Sequence, residues 1–214
     1  MAARSVFAGS MNAVDRDESL GSWVTLSPDG LHLAGISPQG LLQVFDFKTL
    51  KRELSALPVV KDARNATHRR LAWSPKGDLI AISSGFERIV WLVNASSGEI
   101  IWTKTELPAN ADRSCELGWS PDGSQIAVVT TADAIQLLNG ATGDLSTTWK
   151  LPPQLAQYGG GLRGIVWSPA GTVVCATAFH PEAIILLDPK TGAIRRTIEG
   201  DLDRAVMFPG VVRR

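Results

Sequence analysis

The sequence contains few of the residues that build metal sites, disulfide frameworks or membrane spans. It has 2 cysteines and 3 histidines in 214 residues. Neither cysteine stands in a Cys-x-x-Cys motif, and no histidine has metal-ligand spacing to another histidine or to a cysteine. The longest apolar runs, such as 183–187, are strand-length and far short of the ~20 residues that cross a bilayer. We therefore expect no metal, no cofactor and no membrane span.

The chain also lacks an excess of charge of either sign. Its 21 basic and 21 acidic residues cancel, so no overall field attracts a polyanion and nucleic acid is not an expected partner. Residues 1–20 lack the apolar core of a secretory signal. Two isolated thiols suit a reducing compartment. These features predict a cytoplasmic protein.

Catalytic motifs are missing as well. There is no Gly-x-Ser-x-Gly elbow and no phosphate-binding Gly-x-x-x-x-Gly-Lys-Ser/Thr, and the run 158–161 is followed by Leu162-Arg163 rather than by a helix signal. Glu87, Asp133 and Glu182 fall at similar places in the repeat described below. We interpret them as solvated turn residues rather than as a catalytic pair or a calcium site. The sequence predicts that the chain is not an enzyme.

What the sequence does contain is a repeat with two markers in step. The first marker is Ser-Pro-x-Gly, recurring at intervals of 47, 46 and 48 residues, at 27–30, 74–77, 120–123 and 168–171. The second is an Asp/Asn-led turn about 19 residues later, at 46–49, 94–98, 139–143 and 188–192. Proline presets φ in the first turn and glycine supplies positive φ, while the Asp/Asn side chain bonds its own backbone in the second. Both markers predict chain reversals.

Short runs of β-forming residues lie between these turns, and no helical periodicity interrupts them. Four antiparallel strands for each repeat of this length are typical of a propeller blade. The predicted fold class is therefore all-β, a β-propeller of about four four-stranded blades. Trp73, Trp119 and Trp167, with Leu26 in the first unit, are expected on the innermost strands as packing residues.

The repeat also sets the predicted domain organisation. A propeller array spans 21–210 and follows an N-terminal segment, 1–20. Its blades are predicted at about 21–57, 69–105, 115–150 and 163–199, with the start of a further blade at 203–210.

The Ser-Pro-Asp-Gly repeats resemble those of the WD40-like propeller families. The Trp-Asp pair of those families is replaced by Phe45-Asp46, Val93-Asn94, Leu138-Asn139 and Leu187-Asp188, and their Gly-His pair is absent. The resemblance therefore implies that the chain has the propeller architecture of those families. It implies a non-catalytic scaffold for protein–protein interactions. A propeller enzyme or a small-ligand binder that uses the central channel is the alternative from another class.

A second resemblance is to the N-terminal propeller of the neuroblastoma-amplified sequence protein family. The similar residues are 26–30, 33–34, 61–62 and 69–74. That resemblance implies a subunit of a tethering complex at the endoplasmic reticulum, acting in vesicle transport from the Golgi back to the endoplasmic reticulum.

Ring closure has three solutions at this stage. Two chains complete an eight-bladed ring, a strand from 5–8 closes a small four-bladed ring, or the chain is part of a larger protein. Because an open array exposes apolar blade faces, we expect a homodimer or a larger complex rather than a closed monomer.

One set of side chains is a candidate partner site. Arginines precede the innermost strand of successive units, where a propeller gathers them around one mouth of its channel, and such a ring suits an acidic or phosphorylated peptide. The alternative is that they are ordinary loop residues paired with nearby aspartates such as Asp112, Asp201 and Asp203. The candidate partner-binding residues are Arg70, Arg113, Arg163 and Arg204, with His68 and Tyr158 in the adjoining loops.

Overall fold

The described residues of the protein fold into four antiparallel sheets of four strands each. The computed structural model describes residues 24–37, 39–56, 69–108, 115–131, 133–152, 162–178 and 183–199, and no helix occurs among them. Each sheet consists of four consecutive strands, each paired with the next along the chain. This arrangement confirms the predicted all-β fold of four four-stranded blades. The segments predicted at 1–20 and 203–210 lie outside the described residues.

The strands follow the chain in order, four to a blade. Blade 1 holds β1 (Val24–Leu26), β2 (His32–Ile36), β3 (Leu42–Asp46) and β4 (Arg52–Ala56). Blade 2 holds β5 (Arg69–Trp73), β6 (Leu79–Ser84), β7 (Ile89–Asn94) and β8 (Ile100–Lys104). Blade 3 holds β9 (Leu117–Trp119), β10 (Gln125–Thr131), β11 (Ala134–Asn139) and β12 (Leu145–Lys150). Blade 4 holds β13 (Leu162–Trp167), β14 (Val174–Ala178), β15 (Ala183–Leu187) and β16 (Ile194–Glu199).

The Ser-Pro-x-Gly segments form the turns between the first two strands of each blade. In blade 1 the Gly30 N–H donates to the Ser27 carbonyl at 2.9 Å, and the His32 N–H donates to the Ser27 hydroxyl at 2.9 Å. Gly30 has φ of 74°, a conformation in which a β-carbon is costly. The same serine–glycine bond closes the other three turns, at Gly77, Gly123 and Gly171.

The Asp/Asn-led segments form the turns between the third and fourth strands. The Asn94 side chain accepts bonds from the backbone N–H groups of Ser96 and Ser97, both at 2.9 Å, as an Asx turn requires. Gly98 then takes φ of 72°. Blade 1 departs from this pattern because Leu50 adopts φ of 55° where the other blades have glycine.

Three apolar cores lie between successive blades. Blades 1 and 2 enclose Leu42, Val44 and Trp91, for example, and blades 3 and 4 enclose Ile135 and Ile185. The first strands β1, β5, β9 and β13 pack in succession and form the inner row. Among the described strands, no comparable packing joins β13 back to β1.

Strand direction gives the array two different faces. Both kinds of tight turn lie at one end of every blade, which we name the turn face. The other end, the connection face, holds the start of the first strand, the loop between the second and third strands, and the end of the fourth strand. The pairings of Ser84 with both Arg69 and Ile89 place these elements together in blade 2. Chain connections from one blade to the next therefore leave from the connection face.

No helix in the described part of the chain has the length and apolar character needed to span a membrane.

Candidate partner-binding surface

The connection face is anchored by a leucine that follows the last strand of a blade. Leu107 follows β8 and Leu151 follows β12, and they are 2% and 4% exposed. The Leu107 N–H donates to the Arg88 carbonyl at 3.1 Å, and the Leu151 N–H donates to the Asp133 carbonyl at 2.7 Å. Each leucine therefore bonds the segment that leaves the blade to the loop between the second and third strands. These bonds fix the position at which that segment begins.

In blade 2 this anchor is accompanied by two unusual backbone conformations. Arg88 and Glu106 have φ of 56° and 60°, a region that costs a residue other than glycine about 1–3 kcal/mol. The Arg88 side chain also donates through Nε to the Leu107 carbonyl. Arg88 and Glu106 are both exposed, so this corner presents one basic and one acidic side chain to solvent.

An ion pair connects the inner row of blade 2 to that of blade 3. Arg70 Nε lies 2.6 Å from Glu116 Oε1, and the two side chains are 17% and 13% exposed. Arg70 Nη1 also donates to the Arg69 carbonyl at 3.1 Å. Because both charged groups are largely withdrawn from water, their contact resists salt better than an exposed pair does. The Arg70 guanidinium is therefore part of the junction between blades.

Of the arginines in the predicted ring, only Arg70 has its complete side chain among the described residues. Arg70 lies on β5 at the connection face, and Arg163 lies on β13 with its side chain outside the described residues. The remaining candidates also lie outside the described residues; they are His68, Arg113, Tyr158 and Arg204. Sequence analysis did not identify Glu116 as a partner of Arg70. The signal that could have identified it is the spacing, because Glu116 follows Arg70 by 46 residues, one repeat length.

Two of the other predicted polar positions belong to the described residues. Glu87 and Asp133 lie in the corresponding loops of blades 2 and 3, whereas Glu182 is outside the described residues. Asp133 accepts a bond from the Thr131 hydroxyl at 2.8 Å. Within the described ranges, no group of three or more His, Cys, Asp or Glu residues is placed to hold a metal ion.

A small cavity lies between blades 1 and 2 near the turn face. Its volume is about 260 Å³, and its lining includes His32, Glu53 and Trp73. His32 Nε2 lies 3.3 Å from Glu53 Oε2. The cavity is smaller than the ~300–1,000 Å³ of small-molecule sites, so it does not define a ligand pocket.

Polar groups of the turn face are engaged in the turns themselves. Hydrogen bonds from Ser27 and Ser120 lower the pKa of Asp29 and Asp122 respectively. The Arg195 guanidinium, followed by backbone N–H groups, lowers the pKa of Asp188 to about 2. These carboxylates stay ionised at neutral pH and accept bonds from their own turns.

The comparisons with known proteins agree with this architecture. Residues 71–158 match the family model of the anaphase-promoting complex subunit 4 WD40 domain. No curated protein matches the chain.

Two of the solved structures that are similar to the chain illustrate the shared fold. One is the β-propeller domain of Cps50 (Swd1) from Myceliophteria thermophila, 17% identical, with a TM-score of 0.66 over 85% of this chain and 55% of that chain. The other is hydrazine synthase from Kuenenia stuttgartiensis, 18% identical, with a TM-score of 0.61 over 82% of this chain and 48% of that chain. The chain thus spans about half the length of the solved structures that it matches. Its repeat, its sheets and these matches together show a β-propeller fold, within which residues 71–158 are similar to a WD40 domain.

Proposed function

We propose that the protein is a non-catalytic interaction module whose connection face binds an extended acidic or phosphorylated segment of another protein. The contrast between the two faces supports this proposal. Side chains of the turn face, such as Ser27 and Asn94, are used in hydrogen bonds of short turns. The connection face instead carries the long links between blades, and loops on a rigid scaffold are where partner recognition is usually located.

The arginines at these links supply the chemistry of the proposal. Guanidinium groups bind carboxylates and phosphates through paired, charge-assisted hydrogen bonds. In the sequence Arg113 precedes the inner strand of blade 3, and Arg163 belongs to the inner strand of blade 4. Arg70 already pairs with Glu116, so the proposed contacts are assigned to Arg113 and Arg163, and Arg70 is a positioning residue. The cytoplasmic location and the tethering role remain predictions.

Binding of defined peptide pools tests the proposal. An acidic pool, a phosphorylated pool and a neutral pool of equal length would be titrated against the protein by fluorescence anisotropy. We expect the first two to bind and the Arg113→Glu/Arg163→Glu variant to lose at least ten-fold in affinity. The matched control is Lys48→Glu/Lys190→Glu, which places the same charge change on the turn face. Equal binding by the two double variants would refute the assignment of the connection face.

A further inference from the structure

Blade 1 differs from the other blades at three positions of the turn face, and each of them holds a large apolar residue. The first is Leu31, which follows the turn glycine and precedes β2. The second is Phe47, which follows β3 and donates its N–H to the Leu31 carbonyl at 2.7 Å. The third is Leu50, whose N–H donates to the Asp46 carbonyl at 2.9 Å. We name Leu31, Phe47 and Leu50 together the apolar tip.

The equivalent positions of the other blades hold polar or small residues or proline. The bond between Phe47 and Leu31 recurs in blades 2 and 3, and the bond between Leu50 and Asp46 recurs in every blade, so the equivalent positions can be assigned. In place of Leu31 they hold Asp78, Ser124 and Thr172; in place of Phe47, Ala95, Gly140 and Pro189; and in place of Leu50, Gly98, Gly143 and Gly192. The turns of this repeat therefore form without a large apolar residue at any of these positions.

The apolar tip is exposed, and one of its residues has an unfavourable backbone conformation. Leu31, Phe47 and Leu50 are 59%, 51% and 64% exposed, so core packing does not account for them. Leu50 has φ of 55°, a region that is unfavourable for a bulky residue and easy for glycine. Exposed apolar residues that stand singly are ordinary, whereas a cluster on adjacent strand ends indicates a contact surface.

The backbone N–H groups of the apolar tip are bonded within blade 1. The Leu31 N–H donates to the Asp29 carboxylate at 2.9 Å, and the Thr49 N–H donates to the Asp46 carboxylate at 2.6 Å. The other two residues of the apolar tip donate to the carbonyls named above. Hydrocarbon offers no hydrogen-bond partner, so a segment that enters it must satisfy its own backbone donors. The N–H groups of the apolar tip meet that condition.

The charges beside the apolar tip indicate what it contacts. Lys48 and Lys51 are exposed in the same turn, and neither ammonium group forms an ion pair within the described part of the chain. The neighbouring carboxylates have partners already: those of Asp29 and Asp46 accept bonds from their own turns, and that of Glu53 contacts a histidine. Ammonium groups beside apolar side chains complement anionic lipid headgroups above hydrocarbon.

We propose that the apolar tip inserts into the boundary between headgroups and hydrocarbon of an anionic lipid bilayer. Its three side chains lie among the acyl chains, while Lys48 and Lys51 bury their apolar stems and keep their ammonium groups at the phosphates. Three inserted side chains give a weak and reversible contact. The turn face is then held against the lipid, and the connection face on the opposite side stays accessible to a protein segment.

Co-sedimentation of the full chain with lipid vesicles tests the proposal. One preparation is phosphatidylcholine alone, and the other is phosphatidylcholine mixed with phosphatidylserine. We expect the wild type to bind both preparations and to bind the mixed vesicles more tightly. The gain should be modest, because hydrogen bonds lower the pKa of Asp29 and Asp46 and both carboxylates stay negatively charged near the lysines.

The test variant gives the apolar tip residues that the other blades carry. Leu31→Ser/Phe47→Ala/Leu50→Gly should lose about ten-fold or more in vesicle affinity, since burial of one leucine side chain is already worth that factor. Its melting temperature should not fall below that of the wild type, because glycine adopts positive φ easily. The matched control is Ile101→Ser/Ile198→Ser, which removes side chains that are 48% and 43% exposed on outer strands; it should keep the vesicle affinity of the wild type.

A second pair of variants separates charge from insertion. Lys48→Gln/Lys51→Gln keeps the apolar tip, so it should still bind phosphatidylcholine vesicles but should lose the preference for phosphatidylserine. Lys104→Gln/Lys150→Gln removes two lysines at the ends of β8 and β12, on the connection face, and should keep that preference.

Two results would overturn the proposal. If the wild type sediments with neither preparation, a protein with an apolar groove is left as the occupant of the apolar tip. If the wild type and the tip variant sediment equally, the apolar tip is not the contact. The tip variant changes no charge and lies on the face opposite to the peptide contacts, so its affinity for acidic peptides should equal that of the wild type. Failure of the lipid contact can therefore be distinguished from failure of the peptide site.

Discussion

The indole N–H of Trp119 donates to the Ala72 carbonyl at 3.1 Å, and this bond joins blade 3 to blade 2. The residue spacing across the bond is 47, and Trp73 makes the equivalent bond to the Thr25 carbonyl of blade 1 at 3.2 Å over a spacing of 48. In blades 2 and 3 one aromatic side chain therefore both fills the core and joins its blade to the preceding one.

The first prediction removes this indole bond while keeping an aromatic ring. Trp119→Phe should lower the free energy of unfolding by about 1–3 kcal/mol, since the partly buried Ala72 carbonyl loses its partner. Trp167→Phe is the matched control, because Trp167 Nε1 has no hydrogen-bond partner among the described residues. Urea denaturation would measure both. A loss at position 167 as large as that at 119 would show that ring size, and not the bond, is responsible.

The second prediction concerns the ion pair between Arg70 and Glu116. Arg70→Met and Glu116→Gln should each destabilise the protein, and the double variant should cost less than the sum of the two. The coupling energy is expected to be about 1–3 kcal/mol, since both side chains are mostly buried. The exposed pair of Arg195 and Asp188, 47% and 24% exposed, is the control and should show much weaker coupling. Additive effects of Arg70→Met and Glu116→Gln would contradict this account.

The third prediction follows from the buried thiol of Cys115. Burial raises its pKa from 9.0 to about 12, so between these values the native state retains a proton that the unfolded chain has lost. The contribution of this thiol to the free energy of unfolding therefore falls as pH rises from 9 toward 12. Cys115→Ala should remove that contribution, so the stability difference between wild type and variant should change across this range. Chemical denaturation at several pH values would measure it, and a constant difference would argue against the raised pKa.

The fourth prediction separates backbone conformation from packing at two turn glycines. Gly143 and Gly30 have nearly the same φ, 75° and 74°, so alanine should cost about 1–2 kcal/mol of strain at either position. A β-carbon at Gly143 would also lie 2.7 Å from Trp102 Cε3, whereas Gly30 has open space. Gly143→Ala should therefore be the more destabilising of the two in thermal melts. Equal losses would mean that the Trp102 ring moves aside at negligible cost.

Sequence analysis predicted the elements whose chemistry is local. The Ser27 and Asn94 turns could be recognised because proline, glycine and a short polar side chain specify a reversal within five residues. The inner position of Trp119 followed from the place of that turn, since the strand before it is the first of each blade. The fold class could be predicted because these local signals recur at a regular interval along the chain.

Features that depend on two distant segments were not predicted. The contact of Arg70 with Glu116 depends on how blade 2 is positioned against blade 3. The sequence of a single repeat does not specify that position. Positive φ at Arg88 and Glu106 has no local signal of the kind that glycine supplies; it accompanies the anchoring of Leu107, a tertiary contact. The exposure of Val166 was equally hidden, because it depends on what packs against that side of blade 4 and not on the residues of its own strand.

The succession of inner strands also determines how the molecule would respond to mechanical force. Each described sheet packs on its sequence neighbours, so the junctions are arranged in series between the two ends of the chain. A pull applied to those ends loads every junction equally and should detach the weakest blade first. Extension should then proceed in steps, each releasing one repeat and lengthening the chain by on the order of 15 nm, rather than in a single cooperative rupture.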